Sequence, residues 1–368
     1  MKKVLMFGVT NRNGGIENFC LNYTKEINCQ DLRIDYVDIY DGGIFYRDKF
    51  MQLGSKVINL TNYRKNPIKS YKELKKLIIK EKYDIIHYNM NSSVFLFPLI
   101  AGKKLKVSKI IAHSHNAFND KGILKTIIHW INKHFIKYYA NYYFACSDKA
   151  AKYFFSNKIL ESKNFYIINN AIDVEKYEYC NTTRINKRKE LKLNNKFVVG
   201  HIGRFNKQKN HAFLIQIFKK LQELDRNTIL LLVGTGPLKG KIEKMVVNLN
   251  LKHKVIFLNN RDDIAELMQC MDILVMPSLY EGLSLVTVEA QAASLPCLLS
   301  DSISQQSKIL DSTEFFTLKN PPQVWAKKII EMKNKNNERK SFKNEMIFRG
   351  FDIKTESKKI LKIYLEDR

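Results

Sequence analysis

Short apolar runs alternate with helical stretches along almost the whole chain, and that alternation leaves few folds open. KKVLMFGV reads as a buried strand and NRNGG as the turn after it, followed by a helix over Ile16 to Ile27. RIDYVDIY and KVINL are further strands, and a lysine-rich helix covers about Ile68 to Lys82. Strand DIIHYN, helix 93–102, strand KIIAHSH, a long helix over 124–140 and strands YYFACS and FYIINN complete the first half. From Glu175 to Lys196 the chain is polar and dense in charge, which reads as a linker. The alternation then restarts with FVVGHIGR, helix 210–224, TILLLVG, helix 238–248, KVIFLNN, helix 262–270, DILVMPS, helix 284–294 and PCLLSD. Strands this apolar belong to parallel sheets covered by helices on both faces. The expectation is an α/β protein of two doubly wound parallel-sheet domains, 1–175 and 197–345, joined by a linker at 176–196. A basic C-terminal helix, 346–368, is expected to pack back on the first domain. Ligands of open parallel sheets lie at the carboxyl ends of the strands, so a cleft faced by both domains is the expected site.

Charge narrows the partners. With 62 basic against 36 acidic side chains the 368-residue chain carries a formal +26. Nucleic acid, an anionic membrane surface or a phosphate-bearing substrate would each suit that charge. Residues 1–180 hold 29 basic and 16 acidic side chains and residues 181–368 hold 33 and 20, a net +13 in each half. A nucleic-acid-binding protein would concentrate its cations in a stripe with interleaved aromatics, so the even division argues against that class. The longest apolar run, near Val94 to Ala101, is far shorter than the roughly 18 residues of a membrane span. Val4 to Val9 is too short for a signal peptide, so a cytoplasmic chain is expected. Six cysteines without a CxxC pair read as structural free thiols rather than a zinc or redox site.

The chemistry concentrates at strand ends. After DILVMPS comes EGLSLVTVE, in which Glu281 and Glu289 bracket a loop that enters a helix near Ser284. Gly282 leaves room for close backbone approach, and the free N–H groups of the first helical turn form an anion site. Glu289, within the helix, could accept hydrogen bonds from a diol such as a ribose. Asp262–Asp263 reads as the acidic start of a helix rather than a metal-binding pair.

PSLYEGLSLVTVEAQAASLPCLLSD closely resembles the E-x7-E region of glycosyltransferase family 4, retaining enzymes of GT-B fold that use nucleotide sugars. HIGRFNKQKNH, VGTGPLKGKIEK, NGGIENF and IINNAID resemble further segments of that family, in the expected order. The resemblance implies that Arg204 and Lys209 bind the donor diphosphate, that Glu281 contacts the sugar hydroxyls and that Glu289 holds the ribose. It further implies that Gly282, Leu283 and Ser284 offer backbone N–H groups, with Gly14 and Gly15 forming the opposing loop. His115 matches the histidine near the donor sugar, with His113 expected on the other face of its strand; Asn260, with Asn259 and Arg261, matches the base-reading loop. The chain departs from the family at Ala171, where glycine is common, at Thr235, where Gly or Asp variants stand, and at Ala293–Ser294, which replaces a Gly-containing pair.

The resemblance thus implies a retaining glycosyltransferase with a nucleotide sugar, a UDP-sugar, as donor substrate, and neither cofactor nor metal. The acceptor implied is a lipid-linked glycan of capsule or exopolysaccharide synthesis. KTIIHWINKHFIKYYANYYF and YKELKKLIIKEKY are basic and aromatic helices suited to an anionic bilayer surface, giving a peripheral position on the inner face of the plasma membrane. A nucleotide-sugar 2-epimerase shares the architecture, but it would need additional acids and a histidine placed for deprotonation, and the E-x7-E pair argues against it.

Overall fold

The computed structural model describes residues 1–12, 14–27, 29–40, 42–115, 122–335 and 338–366, so Asn13 of the first turn lies outside the described residues. The chain divides into two units, Met1–Ala171 with Asp352–Arg368, and Ile172–Phe351. The first holds β1 (Lys2–Phe7), β2 (Leu32–Asp38), β3 (Val57–Asn59), β4 (Ile85–Met90), β5 (Lys109–Ser114), β6 (Tyr142–Ala145) and β7 (Phe165–Ile167). The second holds β8 (Phe197–Ile202), β9 (Thr228–Val233), β10 (Val255–Leu258), β11 (Ile273–Met276), β12 (Cys297–Ser300) and β13 (Thr313–Phe316). The strand orders are β3-β2-β1-β4-β5-β6-β7 and β10-β9-β8-β11-β12-β13. Every ladder is parallel, as the unbroken apolar runs require. Both orders reverse direction once, between β1 and β4 and between β8 and β11, and ligands of doubly wound sheets settle outside such a reversal.

Alternation along each strand divides the core between the two faces of its sheet. Val4 and Met6 pack with Phe19, Tyr23, Ile360 and Tyr364 on one side of the first sheet. Leu5 and Phe7 join Leu74, Leu99, Ile136 and Phe154 on the other. In the second unit Val198, Leu231 and Leu274 face one cluster, while Val199, Leu230 and Val275 face another that holds the fully buried Trp325. Gly200 in β8 is a packing requirement, because a Cβ there would lie 2.1 Å from Met271 Sδ.

Three departures from the sequence-based expectation have physical causes. The charged stretch at 176–196 is not a tether: Asn181–Glu190 is a helix of the second unit that packs against Ile264–Cys270. Three of its four cations are paired inside the unit, Arg184 and Arg188 with Asp272, and Lys187 with Asp263, Glu190 and Glu266. The C-terminal helix Ile353–Leu365 belongs to the first unit, lying against the helix Gly15–Ile27, and the units divide at Phe351–Asp352 rather than at 345. The helix expected over 124–140 is two, Ile123–Asn132 and Ile136–Tyr139. At Ser294, where the family favours glycine, the serine takes the left-handed conformation, φ 56°.

Candidate active site

In the second unit the reversal of strand order brings together the loops after β8 and β11. The β8 loop begins at Gly203, on which the Lys209 side chain rests: a Cβ at Gly203 would stand 3.0 Å from Lys209 Cε. Gly234, φ +134°, and Gly236, φ +156°, let the β9 loop press against the same segment, and Cβ atoms there would fall 2.3 Å from the Gly203 carbonyl and 2.5 Å from that of Phe205. Leu279 N donates to the Gln208 carbonyl at 2.8 Å, Gln208 Nε2 to the Tyr280 carbonyl at 3.0 Å, and Asn210 Nδ2 to the Pro277 carbonyl at 3.1 Å. The two loops are thereby stitched into one surface.

At its centre Lys209 Nζ donates to Glu281 Oε1 at 2.6 Å, and the Ser278 hydroxyl donates to the same oxygen at 2.7 Å. Both charges are largely buried, with side chains 14% and 8% exposed. Glu281 Oε2 accepts no hydrogen bond among the described residues. Arg204, on the same loop, is exposed, and no carboxylate pairs with it among the described residues. Beyond Glu281 lie exposed Gly282, half-buried Leu283 and buried Ser284, which opens the helix Leu285–Ala292 without a side-chain cap on its N–H groups. A cation, an uncapped helix start and a carboxylate with one open oxygen thus share one end of one sheet, an arrangement that can hold an anion beside a polyol.

Glu289 faces a different neighbour. Its half-buried carboxyl is pushed up to about 7 by desolvation, against the opposing pull of a hydrogen bond to Tyr177 and the charge of Lys176. Tyr177, on the short helix Val174–Tyr177, is a contact that sequence reasoning missed; nothing local marks it, since its partner lies on a helix far along the chain. Asn260 sits on the β10 loop, where its Oδ1 accepts from the Thr235 hydroxyl at 3.1 Å, and among the described residues no hydrogen bond joins it to Glu281. Asp263 carries ion pairs to Arg261 and Lys187.

In the first unit the loop after β1 is held by Glu17. Its Oε1 accepts from Thr10 N at 2.7 Å and from the Thr10 hydroxyl at 2.8 Å, a role for the glutamate of GGIE that the sequence alone did not assign. A Cβ on Gly14 would stand 2.8 Å from Glu17 Oε2, whereas one on Gly15 would meet nothing within 4 Å. Gly282 in the second unit is equally open. Gly14 therefore has a reason internal to the protein, and Gly15 and Gly282 have none of that kind.

His115 closes β5 with Nε2 2.8 Å from Asn89 Oδ1. The Asn89 amide nitrogen donates to the Phe7 carbonyl at 3.0 Å, so its oxygen is left as acceptor and the His115 proton is on Nε2. Burial pushes the imidazole down to about 3, and buried Nδ1 has no partner among the described residues, which makes it a neutral acceptor. His113 does not point to the other face. Residues two apart on a strand share a side, and its ring lies 4.0 Å from that of His115. Its Nδ1 meets His87 Nε2 at 3.0 Å, and His87 Nδ1 meets the Tyr364 hydroxyl at 2.5 Å, so it serves a buried chain to the C-terminal helix.

Residues 183–347 match the family model described as glycosyl transferases group 1, and residues 13–176 match that of glycosyltransferase family 4. The chain is 28% identical to a putative glycosyltransferase, EpsF, of Bacillus subtilis, over 99% of this chain and 96% of that protein. It is 26% identical, over 81% of this chain and 79% of the other, to an Escherichia coli UDP-Gal:alpha-D-GlcNAc-diphosphoundecaprenol alpha-1,3-galactosyltransferase. Among solved structures it resembles Anabaena HepE in complex with UDP, at 18% identity and a TM-score of 0.74, over all of this chain and 96% of that one, a likeness of fold.

Proposed function

We propose that this chain, which belongs to glycosyltransferase family 4 and has its GT-B architecture, transfers a sugar with retention from a UDP-sugar to a lipid-linked glycan in capsule or exopolysaccharide synthesis. The observation that carries the reading is the Lys209–Glu281 pair at the strand-order reversal of the second unit, beside Arg204 and the uncapped helix start at Ser284. As the bond from sugar C1 to the diphosphate oxygen breaks, charge accumulates on the leaving UDP, and fixed cations stabilise that state more than the bound donor. Arg204 and Lys209 take that role, joined by N–H groups from Gly282, Leu283 and Ser284, so the reading calls for no metal. Glu281 turns Oε2 to the sugar hydroxyls, while Asn260 lies on the loop that reads the base. In the first unit His115 is assigned to the donor sugar, and Gly14 and Gly15 to the donor diphosphate.

Names of relatives support the donor and acceptor classes: the E. coli enzyme is named for UDP-Gal and a diphosphoundecaprenol-linked sugar, and a Staphylococcus aureus relative, CapM, 28% identical over 45% of this chain and 44% of that one, for capsular polysaccharide biosynthesis. The test is a panel of UDP-sugars scored for UDP release; no release and no UDP binding would end the proposal. Gly15→Ala and Gly282→Ala sharpen it. Neither added methyl meets protein, so melting temperature should hold while UDP-sugar affinity falls about tenfold or more. Unchanged donor affinity would remove both glycines from the site.

Ribose hydroxyls donate to an ionised carboxyl, and Glu289 ionises only near pH 7. UDP binding should therefore tighten about tenfold between pH 6 and pH 8 in excess of the ligand's own titration. That excess is the difference between the wild type and Glu289→Gln, read by calorimetry at both values. Parallel curves would remove Glu289 from the ribose.

The membrane side of the proposal rests on the first unit. Ile123 is 83% exposed and Trp130 49%, with Leu124, Ile127 and Ile131 of the same helix also exposed. Lys133 Nζ lies 4.2 Å from the Trp130 ring. No helix among the described residues is long and apolar enough to cross a membrane, and a basic apolar face of this kind suits the surface of an anionic leaflet.

A further inference from the structure

The second unit holds a cavity of about 570 Å³, lined by the start of the helix His211–Leu224, by the helix Lys239–Asn248 with its flanking residues, and by Leu279 of the β11 loop. Arg204, Lys209 and Glu281 do not line it, so it is separate from the donor residues. One wall is aliphatic. Leu238, Ile242, Met245 and Leu249 follow one another at spacings of four, three and four, which places them on one helix face. The lining holds no Phe, Tyr or Trp on which a sugar or base could stack, and no carboxylate. It does hold Lys207, Lys241 and Lys244, all exposed and none paired with a carboxylate among the described residues.

His211 says what the polar end of an occupant must be. It lines the cavity at 2% exposure, and neither ring nitrogen has a hydrogen-bond partner among the described residues. Its face is taken by Phe205, stacked at 4.0 Å and 19°, so the ring edge is what remains for a ligand. Burial pushes the imidazole down to about 2, leaving it neutral with one N–H to donate. A buried donor without a partner carries a desolvation cost that a ligand oxygen would remove. The helix that His211 opens has no side-chain cap, because the Asn210 amide is engaged by the Pro277 carbonyl at 3.1 Å. An uncapped helix start, an unpaired imidazole N–H and the single ammonium of Lys207 together suit one oxyanion. The aliphatic wall suits a hydrocarbon chain attached to it.

We propose that this cavity is an effector site for a free medium-chain fatty carboxylate, with the head at His211 and Lys207 and the chain along Leu238, Ile242, Met245 and Leu249. Lys241 and Lys244 add positive potential that draws the anion in. The site is coupled to the donor residues by its walls. Lys207 and Asn210 flank Lys209 in the β8 loop, and Leu279 stands two residues before Glu281. An occupant touches both of these loops, which already bond to each other through Leu279 N and the Gln208 carbonyl at 2.8 Å. Bracing them holds the Lys209–Glu281 pair in place, so occupancy tightens UDP, and bound UDP tightens the carboxylate by the same factor.

The probe is decanoate below its micelle concentration, titrated calorimetrically beside butyrate, which lacks the chain, and decan-1-ol, which lacks the charge. The wild type should bind decanoate about tenfold or more tighter than either. Ala212→Trp fills the cavity from an exposed lining position and should abolish decanoate binding, with the thermal melt and UDP affinity unchanged. His211→Phe keeps the stack on Phe205 and removes the unpaired nitrogens, so its melt should hold or rise while decanoate affinity falls about tenfold. Saturating decanoate should tighten UDP about threefold in the wild type and not in Ala212→Trp. Equal affinity for decanoate and either control overturns the proposal, as does decanoate binding that survives both variants. UDP affinity unmoved by bound decanoate overturns the effector role. Anionic phospholipid vesicles separate a free acid from a bilayer: pelleting lost in Ala212→Trp would make this face a membrane contact and end the proposal. A wild type that binds decanoate but neither binds UDP nor releases it from UDP-sugars would sink the glycosyl-transfer reading instead, and the decanoate titration still decides the cavity.

Discussion

Arg204→Ala is expected to lower kcat for donor turnover by about 10²–10³, with UDP-sugar affinity changing much less. The asymmetry follows from when the charge exists. The bound donor already carries its diphosphate, but the bridging oxygen gains its share of negative charge only as the C1–O bond lengthens, so a cation aimed there acts chiefly on the transition state. Arg204 is the cleaner of the two tests, because it is exposed and pairs with no carboxylate among the described residues, and its loss should leave thermal stability unchanged. Lys209→Ala should cost as much in kcat and should also lower the melting temperature. It strands the carboxylate of Glu281, 8% exposed, with only the Ser278 hydroxyl as donor. Loss confined to binding, with kcat intact in both variants, would show that these cations hold the donor without assisting its departure.

The parts of this molecule that could be read from sequence are those that depend on neighbours in sequence. The strands Thr228–Val233 and Ile273–Met276 are buried along their length, and a strand of that kind announces a covered parallel sheet wherever it occurs. The site loops were legible for the same reason, since in a doubly wound sheet they must follow particular strands. Misreadings fall where a residue's partner is distant. Asn181–Glu190 has the composition of a solvated tether, yet Arg184 and Arg188 find Asp272, and no local signal distinguishes a cation facing water from one facing a carboxylate across the unit. Tyr177 and Glu17 escape a sequence reading likewise: one acts on Glu289 through the packing of two helices, the other on Thr10 through the folding-back of a loop. The side of His113 is a matter of strand period alone, and a spacing of two puts it with His115.

Glu281 is where those two kinds of information meet, and Glu281→Ala should be the most damaging single change, lowering kcat/KM for the UDP-sugar by about 10³, which is ~4 kcal/mol. One neutral hydrogen bond contributes about 1 kcal/mol and one to a charged group about 1.5–3, so a single sugar contact falls short of that figure. The carboxylate acts twice: Oε1 holds Lys209 and Ser278, and Oε2 is left for the sugar. Alanine removes both functions, whereas Glu281→Gln separates them. A glutamine oxygen can still accept from Lys209 and Ser278, but the amide nitrogen now stands where a sugar hydroxyl must donate. The glutamine variant should therefore keep UDP affinity and most of its stability, lose about 10–10² in kcat/KM for the UDP-sugar, and discriminate less between sugars that differ at the contacted hydroxyl. Alanine should lose affinity for UDP as well, because Lys209 is released from its position over Gly203. Steady-state kinetics on both variants, with calorimetric titration of UDP, measures each part separately. Donor turnover left intact in Glu281→Ala would refute the assignment. Equal losses of UDP affinity in alanine and glutamine variants would mean instead that the charge of Glu281, rather than its hold on Lys209, sets the geometry of the diphosphate site.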